Sequence, residues 1–169
     1  MIQRKQTVFM LASVIAILMM LVMPLGTIES ADAYFNLSGL GINSVTDGVP
    51  LDRMSYDLVG ILLCMFTLPL VCIFLFNKRK VQLRILIYTA VLDLLFYAYF
   101  FFYEGGVLEG MATSVLSLSG YSTEVSSEYT YTLYVMPALS AFCCVMAIKG
   151  VLYDIALLAS ADRLRPSRK

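Results

Sequence analysis

The sequence predicts an all-α membrane protein: a four-transmembrane-helix bundle with both termini on the cytoplasmic side and a small β hairpin or strand pair as an option in its exported loops. Three observations predict it. The 169 residues are 60% hydrophobic and 14% charged, with a mean hydropathy of +0.81, more apolar surface than a small water-soluble core can hide. Four apolar stretches are long enough to cross bilayer hydrocarbon. The cationic residues gather in three segments, and such segments stay on the cytoplasmic side of a membrane.

Taken in order, Arg4 and Lys5 precede an uncharged run that supplies the first span, residues 7–25, about 28 Å as a helix. Ala31-Asp32-Ala33 has the small-x-small form of a signal-peptide cleavage site. The apolar run, however, exceeds the roughly 7 to 15 residues of a signal peptide core, and the site lies well beyond its end. Pro24 falls where the helix finishes, a position that tolerates it. The first exported loop, 26–55, sets Glu29, Asp32, Asp47 and Asp52 against Arg53. Its glycines and Pro50 punctuate short apolar pieces, and Tyr34-Phe35-Asn36-Leu37 suggests a short strand. Asn36-Leu37-Ser38 matches a glycosylation acceptor, a tripeptide common by chance.

The second span, 56–76, begins with Asp57, whose carboxylate complements the helix dipole, and contains Pro69, which should kink it. A cytoplasmic turn at 77–82 carries Lys78, Arg79 and Lys80, with Arg84 just beyond. The third span, 83–103, ends in an aromatic run from Phe96 to Tyr103, the composition of an interfacial belt. The second exported loop, 104–131, holds Glu104, Glu109, Glu124 and Glu128. Its stretch from Thr113 to Ser122 alternates polar and apolar residues in part, which favours a strand or hairpin. Strands from the two exported loops can pair into a cap. The fourth span, 132–153, has Pro137 near its start, and no strong breaker follows before Pro166. The helix is therefore expected to run on into a basic cytoplasmic tail, 154–169.

Composition also removes function classes. Histidine and tryptophan are absent, which takes away the usual neutral-pH base, the commonest haem ligand and any imidazole metal site. No cofactor, metal or catalytic residue is expected. Cys64, Cys72, Cys143 and Cys144 all lie inside apolar stretches and read as small apolar residues. A formal net charge of zero, sorted by position, gives no support to nucleic-acid binding.

Asp93 stands about ten residues, roughly 15 Å, from the cytoplasmic end of the third span, at midplane depth. Two roles fit it. One is a proton or cation relay; the other is a structural polar lock, hydrogen-bonded to Tyr88, Thr89, Thr67, Ser140 or Lys149. Lys149 lies near the cytoplasmic end of the fourth span, where it can snorkel to headgroups or reach Asp93 as an ion-pair partner. Arg4, Lys5, Lys78, Arg79, Lys80, Arg84, Arg163 and Arg165 form the expected contact face for anionic lipid headgroups or a protein partner.

Three pieces carry a resemblance: Met1-Ile2-Gln3-Arg4-Lys5-Gln6-Thr7, the stretch Ile73 to Arg84 (IFLFNKRKVQLR), and Ser160-Ala161-Asp162-Arg163-Leu164-Arg165. On them the chain resembles an uncharacterised family of four-helix integral membrane proteins, a domain of unknown function of Bacteroidota. The resemblance implies fold, membrane and bacterial type, and it carries no activity. Claudin-like proteins share a four-span layout, but their tryptophan-containing loop signature and paired loop cysteines are missing. Small multidrug exporters need an acid in the first span, and this one has none.

The expectation is a non-catalytic protein of the bacterial inner membrane, multi-pass, a subunit, scaffold or assembly factor of a membrane complex, with a protein partner or homo-oligomer. The alternative is a small proton- or cation-coupled transporter or channel using Asp93. A lipid-modifying enzyme would need exported carboxylates such as Glu104 and Glu109 to converge on a groove.

Overall fold

The computed structural model describes residues 2–31, 33–46, 52–75 and 78–164. Helix α1 (Ile2–Val22) leads straight into strand β1 (Pro24–Ser30), because Pro24 cannot continue a helical ladder. Strands β2 (Tyr34–Ser38), β3 (Gly41–Ser44) and β4 (Asp52–Met54) follow, then α2 (Tyr56–Phe74), α3 (Arg79–Tyr99), a π-helical turn (Phe100–Glu104), α4 (Gly105–Ser119), β5 (Val125–Tyr129) and α5 (Tyr131–Leu164).

The five strands form one antiparallel sheet in the order β4-β3-β2-β1-β5. The expectation of an all-α protein with four spans is therefore corrected in both parts. Among the described residues three helices are long and apolar enough to cross a membrane: Tyr56–Phe74, Arg79–Ser119 and Tyr131–Ser160. The first apolar helix, Gln6–Val22, is shorter. Residues from Leu25, assigned by the sequence to the end of a span and to a loop, instead alternate in the period of two that a half-buried strand needs. Ile28, Phe35, Leu37 and Ile42 are buried, while Glu29, Tyr34 and Asn43 are exposed. Cross-strand partners Ile28 with Phe35 and Leu37 with Ile42 place these apolar side chains on one face. That face shares a core with Ile17 and Met20 of α1, Leu58 and Leu62 of α2, and Leu108, Ala112 and Leu116 of α4.

The turn between β2 and β3 has a stringent glycine requirement. A Cβ on Gly39 would stand 2.6 Å from the Met20 carbonyl oxygen, and Gly41 adopts φ +144°, with the Arg53 carbonyl oxygen 2.2 Å from where a Cβ would lie. Glycine thus lets the turn press against the end of α1.

The strand expected from Thr113 to Ser122 is helix for most of its length. Thr113, Ser114 and Ser117 satisfy their hydroxyls on carbonyls three residues back, at Gly110, Met111 and Ser114. Leu108, Ala112 and Leu116, spaced by four, give the helix its buried face, and Gly120 stops it in the left-handed conformation. The strand from this region lies further on, at Val125–Tyr129, and it pairs with β1. The third apolar helix consequently runs on through the π turn to Ser119, 41 residues in all and about 61 Å long. It outlasts the hydrocarbon thickness by a wide margin at the sheet end.

Helix α1 packs on α5 and α2, and α3 packs on α5 and α2. The second core, at the end away from the sheet, contains Met10, Cys72, Leu86, Cys144, Ala147 and Val151.

Candidate functional site

Asp93 is fully buried on the inner face of α3, in line with Gln82, Leu86, Thr89 and Phe96. Ser140 of α5 donates its hydroxyl to Asp93 Oδ2 at 2.8 Å. Ser13 of α1 lies 2.8 Å from the Ser140 oxygen, and the Cys144 sulfur lies 3.6 Å from Ser13 Oγ. A hydroxyl has one proton to give. With Ser140 donating to Asp93, Ser13 must donate to Ser140 and Cys144 to Ser13, so the chain Cys144–Ser13–Ser140–Asp93 points toward the carboxyl. Oδ1 of Asp93 is buried without a hydrogen-bond partner.

Of the five partners named from sequence, Ser140 is the one that meets Asp93. Thr89 turns its hydroxyl to the Ile85 carbonyl of its own helix. Lys149 is exposed on α5 and is not brought to Asp93. The ion pair formed among the described residues is Arg79 Nη1 with Asp154 Oδ2, at 3.8 Å, and Arg79 Nη1 also donates to the Asp154 carbonyl at 3.4 Å.

That pair joins the start of α3 to α5. Arg84 and Lys149 each lie five residues inward of it along α3 and α5, about 7.5 Å, and both are exposed together with Lys78 and Lys80. Arg4, Lys5 and Arg163 fall on helices α1 and α5, and Arg165 lies outside the described residues.

Among further buried polar groups, Gln82 and Gln6 escaped the sequence reading, and Glu104, read there as an exported-loop carboxylate, is buried. Gln82 Nε2 donates to the Cys72 carbonyl at 3.1 Å and lies 3.6 Å from Met10 Sδ, joining α3, α2 and α1 near the basic end. Gln6 is buried against Gly150, with its Nε2 unpartnered. Glu104, 1% exposed, closes the π-helical turn; it accepts Ser55 Oγ–H on Oε1 and Tyr99 O–H on Oε2 at 2.6 Å. A signal for two of them was present: Gln82, Asp93 and Glu104 recur at intervals of eleven residues, three helical turns, and so share one stripe of the long helix. Glu109 is engaged by Ser127 Oγ at 2.6 Å. Glu104 and Glu109 thus take separate hydroxyl partners, Ser55 and Tyr99 for the first and Ser127 for the second. A shallow groove of about 420 Å³ at the sheet edge is lined by Glu29, Ser30, Ser122 and Glu124 among others.

Among the described residues, three helices long and apolar enough to cross a membrane, a buried mid-helix carboxyl and a five-stranded antiparallel sheet define a mostly helical protein with a β cap. The chain belongs to the family described as Domain of unknown function (DUF4293), whose model matches residues 2–164. No curated protein matches the sequence.

Proposed function

We propose that this is a non-catalytic, multi-pass protein of the bacterial inner membrane that serves as a subunit, scaffold or assembly factor of a membrane complex. The observation that carries this reading is the exposed basic group Lys78, Lys80, Arg84 and Lys149, gathered at the end of α3 and α5 that the Arg79–Asp154 pair joins. Fixed charge at the end of the helices suits anionic headgroups and an acidic protein surface, each cation contributing about 1 kcal/mol beside an anionic membrane.

Two levels of side chains support the membrane placement. Tyr56, Phe102, Tyr103, Tyr131 and Tyr134 are exposed where α2 begins, where the π turn lies and where α5 begins, the arrangement of an interfacial aromatic belt. At the other end stand exposed Phe74, Arg84 and Lys149. Tyr56 to Phe74, Arg84 to Phe102 and Tyr131 to Lys149 are each eighteen residues apart, about 27 Å of helix, close to the hydrocarbon thickness. The agreement of three helices favours one lipid slab, with the sheet on the exported side and the basic end toward the cytoplasm.

Affinity purification from native membranes after in-cell crosslinking tests the assignment. A defined neighbour is expected, lost when Lys78, Lys80 and Arg84 are changed together to glutamate. A crosslink-free monomer in mild detergent would remove the basis of the proposal.

A further inference from the structure

We propose that Asp93 is a proton-binding site, a neutral carboxylic acid at mid-membrane depth that is loaded from the basic end through the chain Cys144–Ser13–Ser140. This goes beyond the scaffold reading and does not depend on it.

The two buried carboxyls of the long helix are opposites in their surroundings. Glu104 has a hydroxyl donor on each oxygen, Ser55 on one and Tyr99 on the other. Asp93 has one donor on Oδ2, and Oδ1 is bare although it is completely buried. An ionised carboxylate with a naked oxygen in an apolar interior is far costlier than the neutral acid. The titratable groups that interact with Asp93 are Cys144 of α5 and Tyr97 of its own helix. Helix α1 presents Ser13 to the chain, and α2 buries Met65 and Pro69 on its inner face. None of these is a cation.

The side of access follows from the layers above and below. Toward the sheet, Asp93 and Glu104 are separated by three helical turns, about 16 Å, filled by Phe96, Phe100, Leu62, Ile17 and Met20, all at most 1% exposed. Toward the basic end the hydroxyl chain already descends a turn, from Ser140 to Cys144. The apolar layer below it is Met10, Leu86 and Ala147, and Met10 Sδ touches Gln82 on its far side. From Cys144 to Gly150, beside Gln6, is about 9 Å. Loading parts this layer once. One proton enters from water at Cys144, Cys144 passes its own proton to Ser13, Ser13 passes its proton to Ser140, and Ser140 passes its proton to Asp93 Oδ2. Each group gives one proton and takes one, so the net change is one proton on the carboxylate and one fewer in the aqueous phase.

Full-length protein in liposomes, treated with dicyclohexylcarbodiimide and mapped by mass spectrometry, tests the site, because this reagent traps protonated carboxyls in apolar surroundings. The adduct is expected on Asp93 at about tenfold or more the level on Glu104, declining as pH rises and indifferent to sodium. Asp93→Asn, which keeps an acceptor for Ser140, should fold and lose the adduct. Isotope exchange of the acid proton, followed through its infrared carbonyl band in D2O, tests the path. Ser13→Ala should slow exchange at least about tenfold while the adduct at Asp93 persists. No adduct at Asp93, protection by sodium, or exchange equally fast in Ser13→Ala would each overturn the proposal. The scaffold reading would survive all three, since its test is a crosslinked neighbour.

Discussion

The Ser55 hydroxyl donates to Glu104 while accepting the amide N–H of Leu58 at 3.5 Å, so one side chain both caps α2 and fastens it to the π-helical turn. π-Helical turns need such outside support, because their backbone hydrogen bonds are less favourable than those of the flanking α-helix. Ser55→Ala should therefore cost more than an ordinary cap. The missing cap contributes about 1 kcal/mol, and a buried Glu104 left to Tyr99 alone adds about 1 to 2 kcal/mol. Unfolding by dodecyl sulfate in mixed micelles, compared with Ser160→Ala at an exposed position, measures the difference; equal losses would contradict it.

The glycines of the β2–β3 turn predict a contrast within one residue type. Gly39→Ala would drive a Cβ into the Met20 carbonyl and the Leu21 backbone, and neither can swing aside. Gly60→Ala meets nothing within 4 Å on an exposed position of α2 and exchanges a poor helix former for the best one. Thermal midpoints in detergent should fall for Gly39→Ala and rise slightly for Gly60→Ala. A neutral Gly39→Ala would mean that the turn does not bear on α1.

Three of the four apolar stretches were readable in the sequence as helices of spanning length because they depend on transfer free energy, which local composition reports. The sheet was less readable. Tyr34 to Leu37 declared a strand by alternation, but Leu25 to Ile28 sits at the foot of an apolar helix, where period and composition point in different directions. Thr113 to Ser122 gave the opposite error. Its alternation fits a strand, yet its hydroxyls fold back on the helix that carries them, and only the spacing Leu108, Ala112, Leu116 reveals the helical face. Ser140 stood among the five candidate partners of Asp93, whereas Ser13 and Cys144, which extend the chain behind Ser140 from α1 and α5, were not foreseen. No pattern within one helix announces which serine on another will meet it.

Gln6 and Gln82 should respond in opposite senses to an apolar replacement. Gln82 Nε2 is tied to the Cys72 carbonyl, so Gln82→Leu removes a bond between α3 and α2 and should cost about 1 kcal/mol. Gln6 carries a buried, unpartnered Nε2 against Gly150. Gln6→Met deletes an unsatisfied donor while keeping length and flexibility, and should leave stability unchanged or raised by up to about 1 kcal/mol. Denaturation curves for the two variants in one detergent decide it, and a larger loss for Gln6→Met than for Gln82→Leu would refute the assignment of Gln6 as a liability.

Tyr129 supplies a pH dependence for the sheet. Burial pushes its hydroxyl above the ordinary tyrosine value of 10.0, the Ser127 hydrogen bond opposes that, and the carboxylate of Glu109 adds to it. The ring packs edge-on against Phe100 and Phe101, and its strand pairs with β1. Because the folded-state value lies above the unfolded one, the folded protein holds the phenolic proton more tightly. Its contribution to stability is then complete below about pH 10 and is lost as pH climbs through the folded-state value. Tyr129→Phe removes this titration and keeps the ring contacts. The thermal midpoint of the native protein should fall more steeply above pH 10 than that of Tyr129→Phe, the contributions of the other tyrosines cancelling in the difference. Parallel curves across that range would show that Tyr129 ionises as freely in the folded sheet as in the unfolded chain.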